Sequence, residues 1–193
     1  MQRALSRAAV GAMLILSTVT LGACSNDDDD PVSPTDITQD LISSIQTDAH
    51  IMGALHESNV GEIDAGKLAQ TAANDAEVKS FATMMVNEHT TLDAQGTSLA
   101  RQLGVTPALP NNLLPDRQDD ELAQLSLTTG TTFDRNYIAQ QIMAHTRTLA
   151  LVDASITKAQ NATLKLALQN DVRPHIVQHL QTAQTIKNRI GSP

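Results

Sequence analysis

The chain has a single cysteine, no tryptophan, one tyrosine and two phenylalanines among 193 residues. One thiol cannot make an internal disulfide, so the fold must stand without that brace. With aromatics at 2 %, a core has to be filled by Leu, Ile, Val, Met and Ala. Basic residues are also scarce, with 13 Lys and Arg against 21 Asp and Glu. Such a balance repels polyanions and disfavours nucleic-acid binding, which needs clustered cations to displace phosphate counterions. Several catalytic signatures are missing too: there is no Gly-x-Ser-x-Gly elbow and no His-Glu-x-x-His. Hydrolysis by a serine nucleophile or a zinc-protease helix is a poor reading.

What is present begins with an address. Met1 to Cys24 carries Arg3 and Arg7, then an apolar run from Ala8 through Leu21 and no acidic group. That pattern is a secretory signal peptide. The run falls short of the roughly 20 residues a membrane span needs, and polar Ser25 to Asp30 follows at once. Leu21-Gly22-Ala23-Cys24 resembles a bacterial lipobox, in which small residues admit the peptidase and the thiol accepts diacylglycerol. A lone cysteine at a cleavage point is best explained by lipid attachment at Cys24. Residues 1–23 are then removed, which leaves 11 basic against 21 acidic groups and a net charge of −10. Residues 24–35, with Asp27 to Asp30 and two prolines, read as an acylated, acidic tether. The four aspartates lack the alternating ligands and glycine of a calcium loop. Ser25 after the cysteine matches the outer-membrane sorting pattern of Gram-negative lipoproteins, so the expected place is the envelope, anchored by lipid and facing the periplasm.

From Thr35 onward apolar residues recur at three and four, and no period-two run is long enough for a strand. The spacing predicts an all-α domain over residues 36–190. A first helix runs from about Asp36 to Thr71. A second opens at Asn74, with Glu77 three places on, and stops at Gly104. Pro107, Pro110 and Pro115 make the next connection irregular up to Asp116, with a short helix near Asp119 to Thr128. A third long helix spans about Thr132 to Ala159. A fourth spans about Thr163 to Arg189 and should bend at Pro174. Two tight hairpins joined by one longer connection describe an antiparallel four-helix bundle, with both hairpin turns at one end.

Three histidines fall on the apolar stripes of three helices. His89 lies between Met85 and Leu92, His145 between Ile142 and Leu149, and His179 between Ile176 and Ala183. Any one of them alone reads as a core histidine that found a hydrogen bond. Their depths agree, however. Counted from the turns, Glu62, His89, His145 and His179 lie within roughly 9 Å along the bundle axis, at about 1.5 Å per residue. Imidazole and carboxylate facing inward from separate helices is how bundle cores bind iron, manganese, zinc or copper. Glu88, beside His89, sits at the wrong angle to join. His175, one turn before His179, is a further candidate, and His56 fits the first stripe at similar depth, while His50 reads as solvated. Asp134 and Tyr137, one turn apart, read as anchors of the third helix, with Tyr137 alternatively near a metal. A proper di-iron site uses Glu-x-x-His on two helices, and that pair is missing here, so a mononuclear or weak site is the most these residues support.

The stretches Glu62 to Ala69, Val78 to Ala82, Met85 to His89 and Phe133 to Tyr137, with His145, Pro174 and His179-Leu180, resemble the secreted ferritin-like proteins grouped as domain of unknown function 4142. The resemblance spans nearly the whole mature domain. It implies a ferritin-like helical bundle in the bacterial envelope, with Glu62, His89, Tyr137, His145 and His179 at the family's polar positions. It implies no activity, and His175 stands outside the pattern. Two readings stay open at this point. The residues favour a non-catalytic envelope lipoprotein, a scaffold or interaction module for envelope proteins. The alternative is a metal-binding bundle with a transition-metal ion on Glu62, His89, His145 and His179, redox or stress related.

Overall fold

The computed structural model describes residues 34–191. The signal segment, Cys24 and most of the acidic tether lie outside the described residues. Within them the chain is helical throughout, without a strand, and no helix is long and apolar enough to cross a membrane. In chain order the elements are α1 (Pro34–Ser44), α2 (Asp48–Ala72), α3 (Ala76–Leu103), α4 (Leu113–Ser126), α5 (Gly130–Lys158), α6 (Ala162–Ala167), a π-turn (Leu168–Val172) and α7 (Arg173–Ile190).

Each boundary has an identifiable cause, some local and some long-range. The single first helix expected over 36–71 is two helices, because Ser43 and Ser44 turn their hydroxyls back onto the carbonyls of Asp40 and Leu41 at 2.8 and 2.7 Å. Thr47 then caps α2 by accepting from His50 N. Lys158 Nζ reaches across to the carbonyls that end α1, at Ile42 and Ile45. The cap of α3 is Asp75 rather than Asn74. Asp75 Oδ1 accepts from Glu77 N and Val78 N at 2.9 and 3.2 Å, while Asn74 N is drawn away to Asp134 Oδ1 at 2.8 Å. Gly104, at φ +66, closes α3, with Val105 N on Ala100 O and Gly104 N on Arg101 O.

The next helix starts earlier than expected, at Leu113, because Pro115 falls in its first turn, where a missing N–H costs nothing. The expected bend at Pro174 takes the form of the π-turn before it, in which Arg173 N bonds back five residues to Leu168 O.

Two clasps fix the topology. Asp134, near the start of α5, accepts from Asn74 N and Asp75 N in the α2–α3 turn at 2.8 and 3.0 Å. Asp48, at the start of α2, accepts from Gln160 N and Asn161 N in the α5–α6 turn at 2.9 and 3.0 Å. The two clasps sit at matching positions, since Asp48 and Asp134, and likewise the caps Asp75 and Asn161, are each 86 residues apart. They place the two hairpin turns at opposite ends, not at one end as expected. The connection 104–129, which contains α4, carries the chain back along the molecule. It passes tight against α2: Ala108 N donates to Ala49 O at 3.0 Å, and a Cβ at Gly53 would stand 2.3 Å from Ala108 O.

Two apolar clusters result. Val78, Phe81, Met85, Phe133, Tyr137 and Ile186 gather near the first clasp, and Ile45, Ile51, Leu151, Leu164 and Leu168 near the second. Between them lies a buried polar layer drawn from α2, α3, α5 and α7: Ser58, Glu62, His89, Gln141, His145 and His179. Because each residue sits near the middle of its rod, the layer forms even though the depths are counted from opposite ends.

Candidate metal centre

The three histidines on separate helices meet. His89, His145 and His179 are 2, 1 and 0 % exposed, and one nitrogen from each lies within 4.8 Å of the others. Their ring centroids form a near-equilateral triangle of 5.6, 5.1 and 5.2 Å.

The hydrogen bonds around the rings decide which nitrogens are free. Nδ1 of His145 lies 2.9 Å from the carbonyl of Gln141. A carbonyl only accepts, so Nδ1 carries the hydrogen and Nε2 keeps the lone pair. Nε2 of His179 lies 2.7 Å from Glu88 Oε2, so that nitrogen donates and Nδ1 keeps the lone pair. Nδ1 of His89 donates to Asn59 Oδ1 at 2.9 Å, leaving its Nε2, which is buried and without a partner. The free nitrogens of His145 and His179 then face each other at 3.2 Å with no hydrogen between them.

A proton could separate that pair only by charging one imidazole, and burial opposes it. Desolvation, reinforced by the neighbouring imidazoles, pushes His89 well below the usual histidine range. Desolvation takes His145 down to about 4, with Arg147 adding to it and the Gln141 carbonyl opposing. His179 is lowered by desolvation against the raising pull of Glu88. Three neutral rings with inward lone pairs make a Lewis-base pocket, and each ring is braced through its other nitrogen by an oxygen on a neighbouring residue. That is the arrangement metal-binding histidines use, the outer oxygen fixing tautomer and orientation.

Glu62 is 6 % exposed and stands behind His145. Its Oε1 is 3.5 Å from His145 Nδ1, the nitrogen the Gln141 carbonyl already holds, and its Oε2 accepts from Gln141 Nε2 at 2.7 Å. Burial raises its carboxyl to about 7, against the lowering effect of the Gln141 hydrogen bond. The Tyr137 hydroxyl is buried without a partner, and desolvation with nearby Glu62 pushes it well above the usual phenol range. The Tyr137 ring packs between Phe81 and Phe133, each centroid 6.2 Å away. Asp134 serves the α2–α3 turn and is not among the three imidazoles. His175 points its Nδ1 to Asp171 O at 2.7 Å, its ring 6.3 Å from that of His179. His56 is exposed and pairs with Asp93 at 2.6 Å, and Nδ1 of His50 accepts from Gln46 N.

Glu88 corrects the angular argument made from sequence. Helix α3 touches two neighbours: His89 faces Asn59 on α2, and Glu88, about 100° round the same helix, faces His179 on α7. A residue off one stripe was on another. Asn59 and Gln141 were also missed. Gln141 precedes His145 by four, the spacing at which a side chain in a helix meets the carbonyl of the preceding turn.

A family model described as Domain of unknown function (DUF4142) matches residues 35–186. No curated protein and no solved structure matches the chain.

Proposed function

This chain belongs to the DUF4142 family, whose description assigns no activity, and from that premise we propose that it is a lipid-anchored envelope protein whose ferritin-like four-helix bundle binds one transition-metal ion through His89, His145 and His179. The observation that carries the reading is the convergence of unprotonated nitrogens: His145 Nε2 and His179 Nδ1 at 3.2 Å, beside the unpartnered Nε2 of His89. A tetrahedral ion with bonds of about 2.0–2.1 Å sets its ligand nitrogens about 3.3 Å apart, so that pair is already at the right separation. All-imidazole donors suit zinc, copper, iron or nickel rather than magnesium or calcium. A bound ion would supply Lewis acidity or one-electron chemistry there. Asn59, Gln141 and Glu88 hold the rings in the required tautomers, and Glu62 backs His145 from its hydrogen-bearing side. The bundle reading is supported by two antiparallel hairpins clasped at both ends with one crossover between them. The anchor reading is supported by the Leu21 to Cys24 segment and the acidic stretch after it.

Elemental analysis of the purified, metal-loaded protein beside His89→Ala and His145→Ala is the test. About one equivalent in the native chain and a large loss in both variants is expected. Equal metal in all three removes the proposal.

The scaffold reading keeps one observation in its favour. Glu62 with Gln141, and Asn59 with His89, tie α2 to α5 and α3, which fixes helix register with or without an ion. A metal-free native protein whose melting temperature ignores both chelator and added metal would select it.

A further inference from the structure

A large cavity, about 980 Å³, opens between α3 and the α6, π-turn and α7 segment. It takes in His89, His145 and Glu62 at its buried end. Leu55, Leu92, Leu99, Leu164, Leu168 and Ile176 supply apolar wall, and Asp93, Asp171, His56 and His175 lie nearer the surface. Among the described residues that line it, none is Lys or Arg. The volume reaches the upper end of the range for small-molecule sites, and apolar lining with a few convergent polar groups is their usual make-up.

We infer that this cavity is a binding site for an uncharged or cationic, largely apolar small molecule, and that it excludes anions. Three observations carry the inference. The space is large enough for a drug-sized molecule. At its buried end His89 Nε2, on a ring 2 % exposed, has no partner, a lone pair that takes an N–H, an O–H or a Lewis acid. Its charged groups are carboxylates, with no cation to receive an anionic head. The small cavity on the other side of Glu62, about 100 Å³, differs in having two arginines in its lining, Arg117 and Arg147, both of which pair with Glu121.

The same fold accounts for the opening. Helices α2 and α3, and α5 and α7, pair along their lengths, whereas α3 and the π-turn segment do not close on one another. The π-turn displaces Leu168 to Val172 from a regular helical path, and Leu168, Asn170, Asp171 and Val172 all line the cavity. Leu166, 56 % exposed, stands at the mouth as an apolar lip.

The inference goes beyond the metal reading and can be tested apart from it, on the mature full-length chain stripped of metal. Nile red, neutral, and 8-anilinonaphthalene-1-sulfonate, anionic, offer comparable apolar bodies and are titrated by fluorescence into native protein, Ala167→Trp and the double variant Asp93→Lys with Asp171→Lys. Ala167→Trp fills the cavity wall, and circular dichroism establishes that each variant is folded. Saturable Nile red binding to native protein, at least about tenfold tighter than the sulfonate, is expected. Ala167→Trp should lose it, and the double lysine variant should gain sulfonate binding. Equal affinity of native protein for the two dyes overturns the charge selectivity, and Nile red binding unchanged in folded Ala167→Trp overturns the site. Metal content of the reloaded Ala167→Trp should match the native value, because none of the hydrogen bonds that brace the three imidazoles involves that residue. Loss of metal in His89→Ala without loss of dye, or the reverse, separates the two claims.

Discussion

Acidifying the metal-free protein tests whether the three imidazoles are held neutral. In the unfolded chain a histidine takes up its proton near 6.5, whereas burial holds folded His145 at about 4. Between those values the unfolded state binds the extra proton, so stability is lost as pH falls from about 6.5 towards about 4. At about 1.36 kcal/mol per pH unit, that window is worth about 3 kcal/mol for His145. His89 and His179 are lowered for the same first reason, desolvation, and act in the same direction. Glu62 acts in the other. Its carboxyl is raised from 4.5 to about 7, so the folded state keeps a proton the unfolded chain has released. The stability it contributes is fully present below about 4.5 and is lost as pH rises to about 7, again about 3 kcal/mol. Going from about pH 7.5 to about pH 4.5 therefore sets three destabilising imidazoles against one stabilising carboxyl. Asp75, held low chiefly by its hydrogen bond to Arg189, changes only below about 3.8, outside this window. The native protein should lose a few kcal/mol, and Glu62→Gln should fall about 3 kcal/mol further because the opposing group is gone. Urea unfolding followed by circular dichroism, in the presence of a chelator, reads both. Flat native stability across the range would refute the neutral imidazoles, and parallel falls in the two proteins would refute the protonated Glu62.

Glu88→Gln keeps the shape but weakens the brace on His179 Nε2, so metal affinity, measured by competition with a chromophoric chelator, should drop about 10- to 100-fold while the fold persists. Asp134→Ala removes the acceptor for two backbone N–H groups at a position 2 % exposed. The loss should be about 3 kcal/mol by chemical unfolding, and larger than for Asp48→Ala, whose clasp is partly solvated. Cys24→Ser should move the full-length chain out of the detergent-soluble membrane fraction without changing its metal content, and retention in that fraction would sink the lipid anchor.

How legible the fold was depended on whether its cause was local. Long amphipathic rods, the stop at Gly104 and the disturbance at Pro174 follow from periodicity and backbone chemistry within a few residues. The break at Ser44 to Thr47 was missed because apolar spacing continues through it. Only the back-bonding serines and the cap mark it, and Ile45, 1 % exposed, keeps the stripe looking intact. The cap shift from Asn74 to Asp75 has its cause 60 residues away, in Asp134. The ends at which the hairpins turn are likewise set by two long-range carboxylates. No helical period reports them. The site divides the same way: the three imidazoles lie on stripes and were found, whereas Glu88, Asn59 and Gln141 act across helix pairs or through a backbone carbonyl.

The polar layer has an energetic logic that decides between its two uses. Burying a neutral imidazole with one nitrogen unpaired costs roughly 1–3 kcal/mol, and here three rings are buried with lone pairs that find no hydrogen. A layer needed only for register would be expected to end its hydrogen-bond chains on donors, as Gln141 does on Glu62. Instead every outer ring nitrogen is satisfied and every inner one is left as an acceptor, so the deficit of the three imidazoles is concentrated at one point between α3, α5 and α7. A single cation at that point answers all three lone pairs at once. Chelation should for that reason lower the melting temperature of native protein and leave His145→Ala nearly indifferent, because the variant has already lost the point at which the deficit converges. If native protein and His145→Ala respond alike to chelator, the layer is structural and the orphaned nitrogens are a cost the bundle bears for its alignment.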